Sequence, residues 1–246
     1  MGTAIVMTSG KGGTGKTTST AAIAEALALM GRKTLCIDCD VGLKNLDLSL
    51  GLTDNVLWDF GDVLCGRIAA AEAVIPHGEI EGLFFLSAPN EEMPDDIDPG
   101  AFSELIASLK EDYDYILLDS PAGLGAGFRL SAAGADMAIV VSTGDSTSLR
   151  DGQKTVSALS RLGVKDIRLL VNRVEPKNLR RINATVDDII DAVGAQLIGI
   201  ISEDPSVSLA ANLERPLMLY GAKNIEGQFS RVARRITGER VFLSGL

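Results

Sequence analysis

Histidine and cysteine are scarce in this sequence of 246 residues. There is one histidine, His77, which excludes a metal site built from several imidazoles. Three cysteines, Cys36, Cys39 and Cys65, are too few and too unevenly spaced for a disulfide scaffold. Cys36 and Cys39 form a Cys-x-x-Cys pair, but residues three apart in a strand point to opposite faces. That spacing favours two small core residues over a redox or metal pair.

Long apolar runs and excess positive charge are also missing. No apolar run reaches the length of about 18 residues that a membrane span needs. The first residues lack a basic segment ahead of an apolar one, so no signal peptide is predicted. The formal net charge of −10 argues against wholesale attraction to nucleic acid or anionic lipid. A cytoplasmic location is therefore expected.

What the sequence does contain is a regular alternation of short apolar runs and helical stretches. Seven runs are predicted strands, most of them continuously apolar, as is typical of strands covered on both faces: residues 3–8, 33–38, 83–87, 115–119, 137–142, 167–172 and 196–201. The clearest helix is predicted from Thr17 to Gly31. The alternation predicts an α/β fold, a doubly wound, mostly parallel sheet of about seven to eight strands with helices on both faces. We expect a single domain over residues 1–246.

A glycine-rich loop follows the first predicted strand and opens the first helix. Residues 10–17, Gly-Lys-Gly-Gly-Thr-Gly-Lys-Thr, match the phosphate-loop pattern in full. In such a loop, glycines let backbone N–H groups point at phosphate oxygens, and the helix N-terminus adds its positive dipole end. Lys16 supplies charge to the β- and γ-phosphates, and the Thr17 hydroxyl is placed to ligate Mg²⁺. The candidate nucleotide-binding residues here are Gly12, Gly13, Thr14, Gly15, Lys16, Thr17 and Thr18.

Aspartates follow two other predicted strands. Asp119 ends one of them, where a Walker-B aspartate holds Mg²⁺ through water; a helix-capping role is the alternative. Ser120 comes next, which argues against the machines that carry a catalytic glutamate at that position. Asp38 and Asp40 follow the second strand, and both face the phosphate side if the strand breaks there. From the residues alone, Asp40 either orients the attacking water or belongs to a capped turn.

The segment at the C-terminal end of a late predicted strand indicates which nucleotide base the site prefers. Ras-type GTPases carry Asn-Lys-x-Asp in this place, with an aspartate that pairs with guanine. This chain has Val-Asn-Arg-Val-Glu-Pro at residues 171–176. Adenine, and therefore ATP, is the preferred nucleotide.

The loop begins with a second lysine, Lys11, and this lysine carries a family resemblance. The loop resembles that of the deviant Walker-A ATPases, which include MinD, ParA, the nitrogenase iron protein and arsenite-pump ATPases. In that family the extra lysine reaches across a dimer interface to the phosphates of the other subunit. The resemblance implies an ATP-dependent homodimer in which Lys16 serves its own nucleotide and Lys11 serves the partner's, much as an arginine finger does.

Within this family the motifs are most similar to the MinD branch, over nearly the whole chain. The matching stretches are residues 40–52, 117–123 and 202–216. The resemblance implies that Asp40 positions the attacking water, and that Lys11, Lys16 and Asp40 are the catalytic residues. The resemblance further implies that Thr17, Asp38 and Asp119 bind Mg²⁺ and that Asn45 lies in a first switch. It implies that Asn172, Arg173 and the segment around Pro205 hold the adenine. It also implies a partner-binding face at Ser148, Arg150 and Asp151.

The resemblance also implies a function. An ATP-bound dimer would recruit an effector that positions the division site, and hydrolysis, slow without a partner, would reset it. Partners of the MinC and MinE type are expected. MinD proteins normally end in a basic amphipathic helix that binds anionic membrane, but no such helix is evident after about residue 240. Either the chain is truncated or this branch is located otherwise, so a peripheral place on the inner face of the cell membrane stays open.

The preceding stretch is predicted as a helix that packs on the core. Ile225, Phe229, Val232 and Ile236 are spaced along one face of it. Arg231, Arg234 and Arg235 lie outside that stripe, and a solvated face is the simplest interpretation of them.

Three alternative functions fit the sequence less well. A ParA-like segregation protein would bind DNA through arginines, for which the candidates are Arg180, Arg181, Arg231, Arg234 and Arg235. The acidic balance and the Gly-Leu-Lys-Asn-Leu-Asp switch argue against it. A FlhG-like regulator of flagellar number usually has an N-terminal extension, whereas the loop here begins at Gly10. An iron-protein-type redox enzyme needs cluster cysteines at the dimer face, and the cysteines of this chain are placed elsewhere.

Overall fold

In the computed structural model of the protein, which describes residues 1–41, 44–52, 57–89, 97–175 and 185–242, the strands form one sheet. The strands are β1 (Thr3–Thr8), β2 (Thr34–Asp38), β3 (Ile75–Pro76), β4 (Leu83–Leu86), β5 (Tyr115–Asp119), β6 (Met137–Ser142), β7 (Asp166–Val174) and β8 (Gln196–Ser202). They lie in the order β3-β4-β2-β5-β1-β6-β7-β8, and the paired neighbours are parallel except β3 and β4. The winding of the sheet reverses at β1, a place where α/β folds bind ligands at the carboxyl ends of the strands.

Helices cover both faces of this sheet. They are α1 (Lys16–Leu29), α2 (Leu46–Leu50), α3 (Phe60–Leu64), α4 (Ala70–Ala73), α5 (Pro99–Leu109), α6 (Ala126–Ala133), α7 (Ser146–Arg161), α8 (Val186–Val193), α9 (Pro205–Asn212) and α10 (Lys223–Ile236), with a 3₁₀ turn at Leu217–Leu219. The prediction of a doubly wound, mostly parallel α/β sheet is confirmed, and the seven predicted strands are present within two residues of their ends. Only β3 was not predicted. This strand has only two residues, too few to show a periodic pattern, and one of them is Pro76. Proline within a sheet is confined to edge strands.

The hydrophobic core lies in two main layers, one on each face of the sheet. Successive residues of β1 alternate between them: Ile5 and Met7 pack with α1 and α10, whereas Val6 packs with α5 and α6. Cys36 belongs to the first layer and Cys39 to the second, and both are fully buried. Burial raises the pKa of both thiols well above the usual range. The prediction that these cysteines are core residues on opposite faces is confirmed.

Helix α1 is more deeply buried than its sequence pattern indicates. The pattern places Ile23 and Leu27 on one apolar face, but every residue from Ser19 to Ala28 is buried. The helix begins one residue before the predicted start, and Gly31 beyond its end has a φ of 78°, as expected for a helix-ending glycine. The helix that opens at the phosphate loop is therefore held on all sides by the core.

One carboxyl group, that of Glu25, lies inside this core. The Glu25 side chain is fully buried on α1, and its Oε2 accepts the N–H of Met218 at 2.9 Å. Its Oε1 has no hydrogen-bond partner among the described residues. Burial raises the pKa of Glu25 to about 7, against the lowering effect of backbone hydrogen bonds from Met218 and Leu217.

Replacing Glu25 with glutamine is expected to stabilise the protein above neutral pH. Folded Glu25 holds its proton up to about pH 7, whereas an unfolded glutamate releases it near pH 4.5. The native state therefore loses stability as the pH rises through that window. Urea unfolding should give Glu25→Gln about 2–4 kcal/mol more stability than the parent at about pH 8, and far less gain at about pH 5. The exposed Glu104→Gln is the control; an equal gain at both pH values would contradict the titration.

The C-terminal helix α10 packs as predicted on one face, but one of its arginines is not solvated. Ile225, Phe229 and Val232 are buried, and Ile236 is partly buried against the same core. The Arg235 guanidinium donates hydrogen bonds to the carbonyls of Ile198, Val241 and Phe242, at 2.9, 3.0 and 2.9 Å. The interpretation of Arg235 as part of a solvated face is wrong, because a helical pattern does not show that the chain after the helix returns past this side chain.

The other arginines proposed for DNA binding differ in their surroundings. Arg234 forms an ion pair with Glu239 at 2.7 Å, and Arg231 is partly exposed. Arg180 and Arg181 lie outside the described residues. In the part of the chain that the structure describes, no helix has both the length and the apolar character to cross a membrane.

Candidate nucleotide-binding site

The loop between β1 and α1 has the backbone shape of a phosphate cradle. Gly13 and Gly15 have φ values of 80° and 81°, in the left-handed region where side chains are strained. A Cβ at Gly15 would lie 2.3 Å from Nδ2 of Asn172, but a Cβ at Gly12 or Gly13 would meet nothing within 4 Å. The loop is therefore closed by packing at Gly15 and open at Gly12 and Gly13, which is the space that phosphate groups require.

Two side chains of β7 hold the loop in this shape. Asn172 Nδ2 donates to the carbonyl of Thr14 at 2.8 Å, and Arg173 donates to the carbonyl of Gly13 at 3.1 Å. In a trans peptide the C=O and the following N–H point in opposite directions. Anchoring these two carbonyls therefore turns the N–H groups of Thr14 and Gly15 toward the other side of the loop. Asn172 and Arg173, predicted only as adenine contacts, also shape the phosphate loop.

Asp119 is the centre of a buried cluster at the start of α1. Its Oδ1 accepts from Lys16 Nζ and Thr20 Oγ1, both at 2.8 Å, and its Oδ2 accepts from Thr17 Oγ1 at 2.7 Å. Lys16 is 7% exposed and Asp119 1%. All three donors come from side chains of α1, so Asp119 does not act as a helix cap. Thr20 was not predicted, although its place four residues after Lys16 puts it on the same helical face.

Asp38 lies beside Asp119 on the neighbouring strand. The two residues are register partners of β2 and β5, and Asp38 is buried. Its carboxylate accepts the N–H of Asp40 at 2.8 Å and the N–H of Leu46 at 3.3 Å. Burial, and then the charge of Asp119, raise the pKa of Asp38 to about 7. The Asp119 carboxylate, which contacts the Thr17 hydroxyl and pairs with Lys16, and the Asp38 carboxylate on the neighbouring strand form an oxygen-rich donor set that fits Mg²⁺.

The turn after β2 is capped by Asp38 rather than by Asp40. The carboxylate that accepts the backbone N–H groups of the turn is that of Asp38, as its bonds to Asp40 and Leu46 show. Asp40 is partly exposed, and its carbonyl accepts the N–H of Lys44 at 3.2 Å. Asn45 is exposed at the N-cap position of α2. Gly42 and Leu43, inside the matching switch motif, lie outside the described residues.

Lys11, the second lysine of the loop, is bound by an aspartate of the same chain. Its Nζ lies 3.0 and 3.2 Å from the two carboxylate oxygens of Asp145, the N-cap residue of α7. Partial burial acts to raise the pKa of Asp145, but hydrogen bonds from Thr143, Ser148 and Lys11 lower it to about 2. The Lys11 side chain is 34% exposed. Lys11 therefore sits at the rim of the site, in contrast to the buried Lys16.

Sequence reasoning missed Asp145. The signal was present, because an aspartate directly before Ser-Thr-Ser and a helical run is a typical N-cap. What no local pattern shows is that the cap lies next to a loop more than 130 positions earlier in the chain.

Two clefts open beside the loop. The larger, of about 830 Å³, is lined by Lys11, Gly12, Gly13, Arg173, Glu203 and the segment 143–146, among others. The smaller, of about 180 Å³, is lined by Gly15, Thr18, Asn172, Val207, Phe229 and neighbouring residues. Arg173 and Glu203 border both clefts and form an ion pair at 2.7 Å. The predicted adenine contacts Asn172 and Arg173 are thus brought together with the loop residue Thr18, whereas Pro205 does not line the smaller cleft and its neighbours Asp204 and Val207 do.

The partner face predicted at the start of α7 is only partly a surface. Ser148 is 3% exposed, and its Oγ accepts the N–H of Thr143 at 3.0 Å and bonds Ser142 Oγ at the same distance. The Ser148 hydroxyl therefore closes the turn into the helix, and the place of this residue near a partner face stays a prediction. Asp151 packs its backbone against Gly10, where a Cβ would come within 2.6 Å, and pairs with Lys154. Arg150 is exposed.

Fold and site together define a P-loop nucleotide-binding protein, and known proteins match it closely. Residues 5–217 match the family described as the CobQ/CobB/MinD/ParA nucleotide binding domain. The septum site-determining protein MinD of Thermotoga maritima is 36% identical over 244 residues, which cover 98% of this chain and 90% of that protein. The chain belongs to the MinD/ParA family of ATPases and, within it, to the MinD group.

Solved structures agree with this assignment. A chain of the MinC:MinD cell division protein complex from Aquifex aeolicus matches with a TM-score of 0.92 and 36% identity, covering 99% of this chain and 98% of that one. The MinD of Pyrococcus horikoshii, solved in complex with Mg-ADP, matches with a TM-score of 0.85 and 32% identity over 96% of each chain. The resemblance drawn from the two-lysine loop and the switch motif is confirmed.

Proposed function

We propose that this protein is a MinD-type switch that hydrolyses ATP and positions the division site. ATP binding pairs two copies, the dimer recruits an effector of the MinC kind, and hydrolysis releases it. The observation that carries this proposal is the unequal placement of the two loop lysines. Lys16 is buried against Asp119 within its own site, whereas Lys11 stands at the exposed rim. A rim lysine is placed to reach a nucleotide bound by another subunit.

Different residues of one chain bind the phosphates, bind Mg²⁺ and orient the attacking water. The loop N–H groups and Lys16 bind the phosphates, and Thr17 and the two buried aspartates Asp38 and Asp119 hold Mg²⁺. When bound, Mg·ATP supplies the phosphoryl group that is transferred to water. Asp40, which is partly exposed, accepts a hydrogen bond from that water and orients it. Lys11 of one copy adds positive charge at the phosphates of the other, so hydrolysis requires the dimer.

The base is held by the smaller cleft. Asn172 and Arg173 are anchored to the phosphate loop, so a base beside them is fixed relative to the phosphates. Hydrogen bonds of Glu203 and its charge raise the pKa of Arg173 and keep its guanidinium ionised and oriented. We propose adenine as the base, since the segment lacks the aspartate that pairs with guanine. A single domain over residues 1–246 carries all of these parts.

The proposal is tested by the oligomeric state and by effector binding. Light scattering of the purified chain should show a dimer with Mg·ATP and a monomer with Mg·ADP. A purified MinC-type protein should bind only in the ATP condition, and a MinE-type protein should raise a slow basal rate of hydrolysis. A chain that stays monomeric with ATP, or that binds the effector equally with ADP, would overturn the switch.

Location is tested by sedimentation with anionic liposomes, in Mg·ATP and in Mg·ADP. Pelleting with ATP only would support a membrane-bound dimer, because two copies acting together bind a surface more strongly than one. Dimers that form without pelleting would assign recruitment to a protein partner instead. Pelleting that is equal in both nucleotides would contradict a nucleotide-gated location.

Releasing Lys11 from Asp145 is expected to favour the dimer. The Lys11–Asp145 pair is partly exposed, and such pairs are worth little, so the shift should be small. Asp145→Asn removes the charge but keeps an N-cap residue for α7. It should lower the ATP concentration for half-maximal dimerisation by about two- to fivefold. The control is Asp62→Asn, which removes the partner of Arg67 while keeping a capping side chain; a shift of the same size there would contradict a specific role for Asp145.

A further inference from the structure

The only histidine of the chain, His77, lies outside the nucleotide site but is fully engaged in hydrogen bonds. The residue is 9% exposed. Its Nδ1 lies 3.0 Å from the backbone nitrogens of both Glu79 and Ile80, and its Nε2 lies 2.8 Å from the carbonyl oxygen of Leu50. Since Nδ1 accepts two N–H donors, the proton of the neutral ring is on Nε2, which donates to Leu50.

The carbonyl oxygen that His77 binds belongs to Leu50, the last residue of α2. This helix runs from Leu46 to Leu50, too short to be stable by itself in water. At its first residue, the N–H of Leu46 donates to Asp38. At its last residue, the carbonyl of Leu50 has no partner within so short a helix and accepts from His77 instead. Helix α2 is therefore held between a carboxylate of the Mg²⁺ site and an imidazole on the far side.

The arrangement links His77 to Asp38 through one helix and a side-chain hydrogen bond at each of its ends. The link runs from His77 to Leu50, along one and a half turns of helix to Leu46, and then to Asp38. Leu46 and Leu50 are both fully buried, so the helix cannot shift sideways without disturbing the core around α1. Asn45, in the predicted first switch, is the N-cap residue directly before the helix.

We propose that His77 is a positioning residue for the nucleotide switch: its neutral ring holds the C-terminal end of α2 and thereby places Asp38 and the first switch. This inference rests on the proposed function in one respect, that the segment at Asn45 responds to the nucleotide. His77 does not touch the nucleotide or the reacting atoms. It acts through α2, so its loss should alter this segment before it alters the rest of the fold.

Two substitutions separate the two sides of the ring. In His77→Gln the side-chain amide nitrogen takes the place of Nε2 and can still donate to Leu50, but the acceptor for Glu79 and Ile80 is lost. In His77→Asn the amide oxygen takes the place of Nδ1 and keeps that acceptor, but the donor to Leu50 is lost. Each variant therefore serves as the matched control of the other.

The first measurement is amide hydrogen exchange of the segment 46–52 in the protein without nucleotide. We expect His77→Asn to accelerate exchange there by about three- to tenfold, the loss of one hydrogen bond, and His77→Gln to stay within about twofold of the parent. The second measurement is the Mg²⁺ concentration for half-maximal ATP hydrolysis, which should rise in His77→Asn and not in His77→Gln. Equal effects of both variants, or acceleration confined to the segment 75–83, would overturn the proposal.

A spectroscopic measurement keeps the proposal falsifiable if a variant does not fold. The single imidazole gives one pair of ¹⁵N signals in the unmodified protein, and these should show Nδ1 without a proton and Nε2 with one. The Nε2 signal should differ between Mg·ADP and a non-hydrolysable ATP analogue. A proton on Nδ1, or identical spectra in the two nucleotides, would overturn the positioning role. Failure of the proposed function would appear separately, as a chain that hydrolyses no ATP while its exchange and imidazole signals still report the state of α2.

Discussion

Replacing Lys11 with alanine is expected to abolish the ATP-dependent dimer and to lower ATP hydrolysis by about a thousandfold or more. A loss of this size is typical when a positive charge that one subunit supplies to the transferring phosphoryl group of another is removed. Lys11 is the more exposed of the two lysines of the loop, and its ammonium group pairs with Asp145 at the rim of the site. Within one chain the buried Asp119 pairs with Lys16, whereas Lys11 pairs with Asp145 at the edge of the larger cleft. Affinity for Mg·ADP should therefore stay within about twofold of the parent, because that binding needs no second subunit. Light scattering and steady-state hydrolysis measure the two effects.

The matched control for Lys11 is Lys154. Both lysines form partly exposed ion pairs with an aspartate at or near α7, Lys11 with Asp145 and Lys154 with Asp151. Lys154→Ala should dimerise and hydrolyse like the parent. If Lys11→Ala still forms the dimer with ATP, or if it loses ADP affinity as strongly as hydrolysis, the lysine serves its own nucleotide and the role in trans is wrong.

Replacing Asp40 with asparagine is expected to lower the rate of hydrolysis by about a hundred- to ten-thousandfold, which is the range typical of a lost acid–base group. The ATP-bound dimer should stay intact or become more abundant. The backbone of the turn is held by Asp38, so the Asp40 carboxylate can be altered without loss of the cap. An amide of the same size keeps the volume and removes the charge that orients water. The test is single-turnover hydrolysis alongside light scattering of the ATP-bound state, in which the variant should accumulate as a dimer.

The control for Asp40 is Asp112, an exposed aspartate in the turn after α5. Asp112→Asn should match the parent in both assays. Loss of the dimer together with hydrolysis in Asp40→Asn would show that the carboxylate acts in binding or assembly rather than on water. Hydrolysis that survives in the variant within about tenfold would remove Asp40 from the reaction altogether.

The sheet was predictable because its evidence is local. Each buried parallel strand is a short apolar run, and the structure places seven of them where such runs occur. The same holds for the phosphate loop, whose glycines and Lys16 stand in one continuous stretch between a strand and a helix. The two-residue strand β3 escaped because a pairing of Ile75 and Pro76 with β4 leaves no periodic signal.

The parts of the site that escaped prediction are contacts between distant segments. Lys11 meets Asp145, Asn172 meets Thr14, and His77 meets Leu50. Each residue is ordinary in its own neighbourhood, and its role comes from what the fold brings beside it. The error at Arg235 has the same origin: it was assigned to a solvated face from helical spacing, yet its guanidinium donates to carbonyls of other segments.

The sequence by itself determined the class of fold, the loop that binds phosphates and the aspartates around it, because apolar periodicity and short motifs act within a few residues of the chain. Only the tertiary structure decided which side chains are available. It buried Lys16 with Asp119, left Lys11 at the rim, turned the carbonyls of the loop toward β7 and held α2 between Asp38 and His77. These outcomes depend on packing and on hydrogen bonds between residues far apart in sequence, and their strength comes from burial, which exists only once the chain has folded.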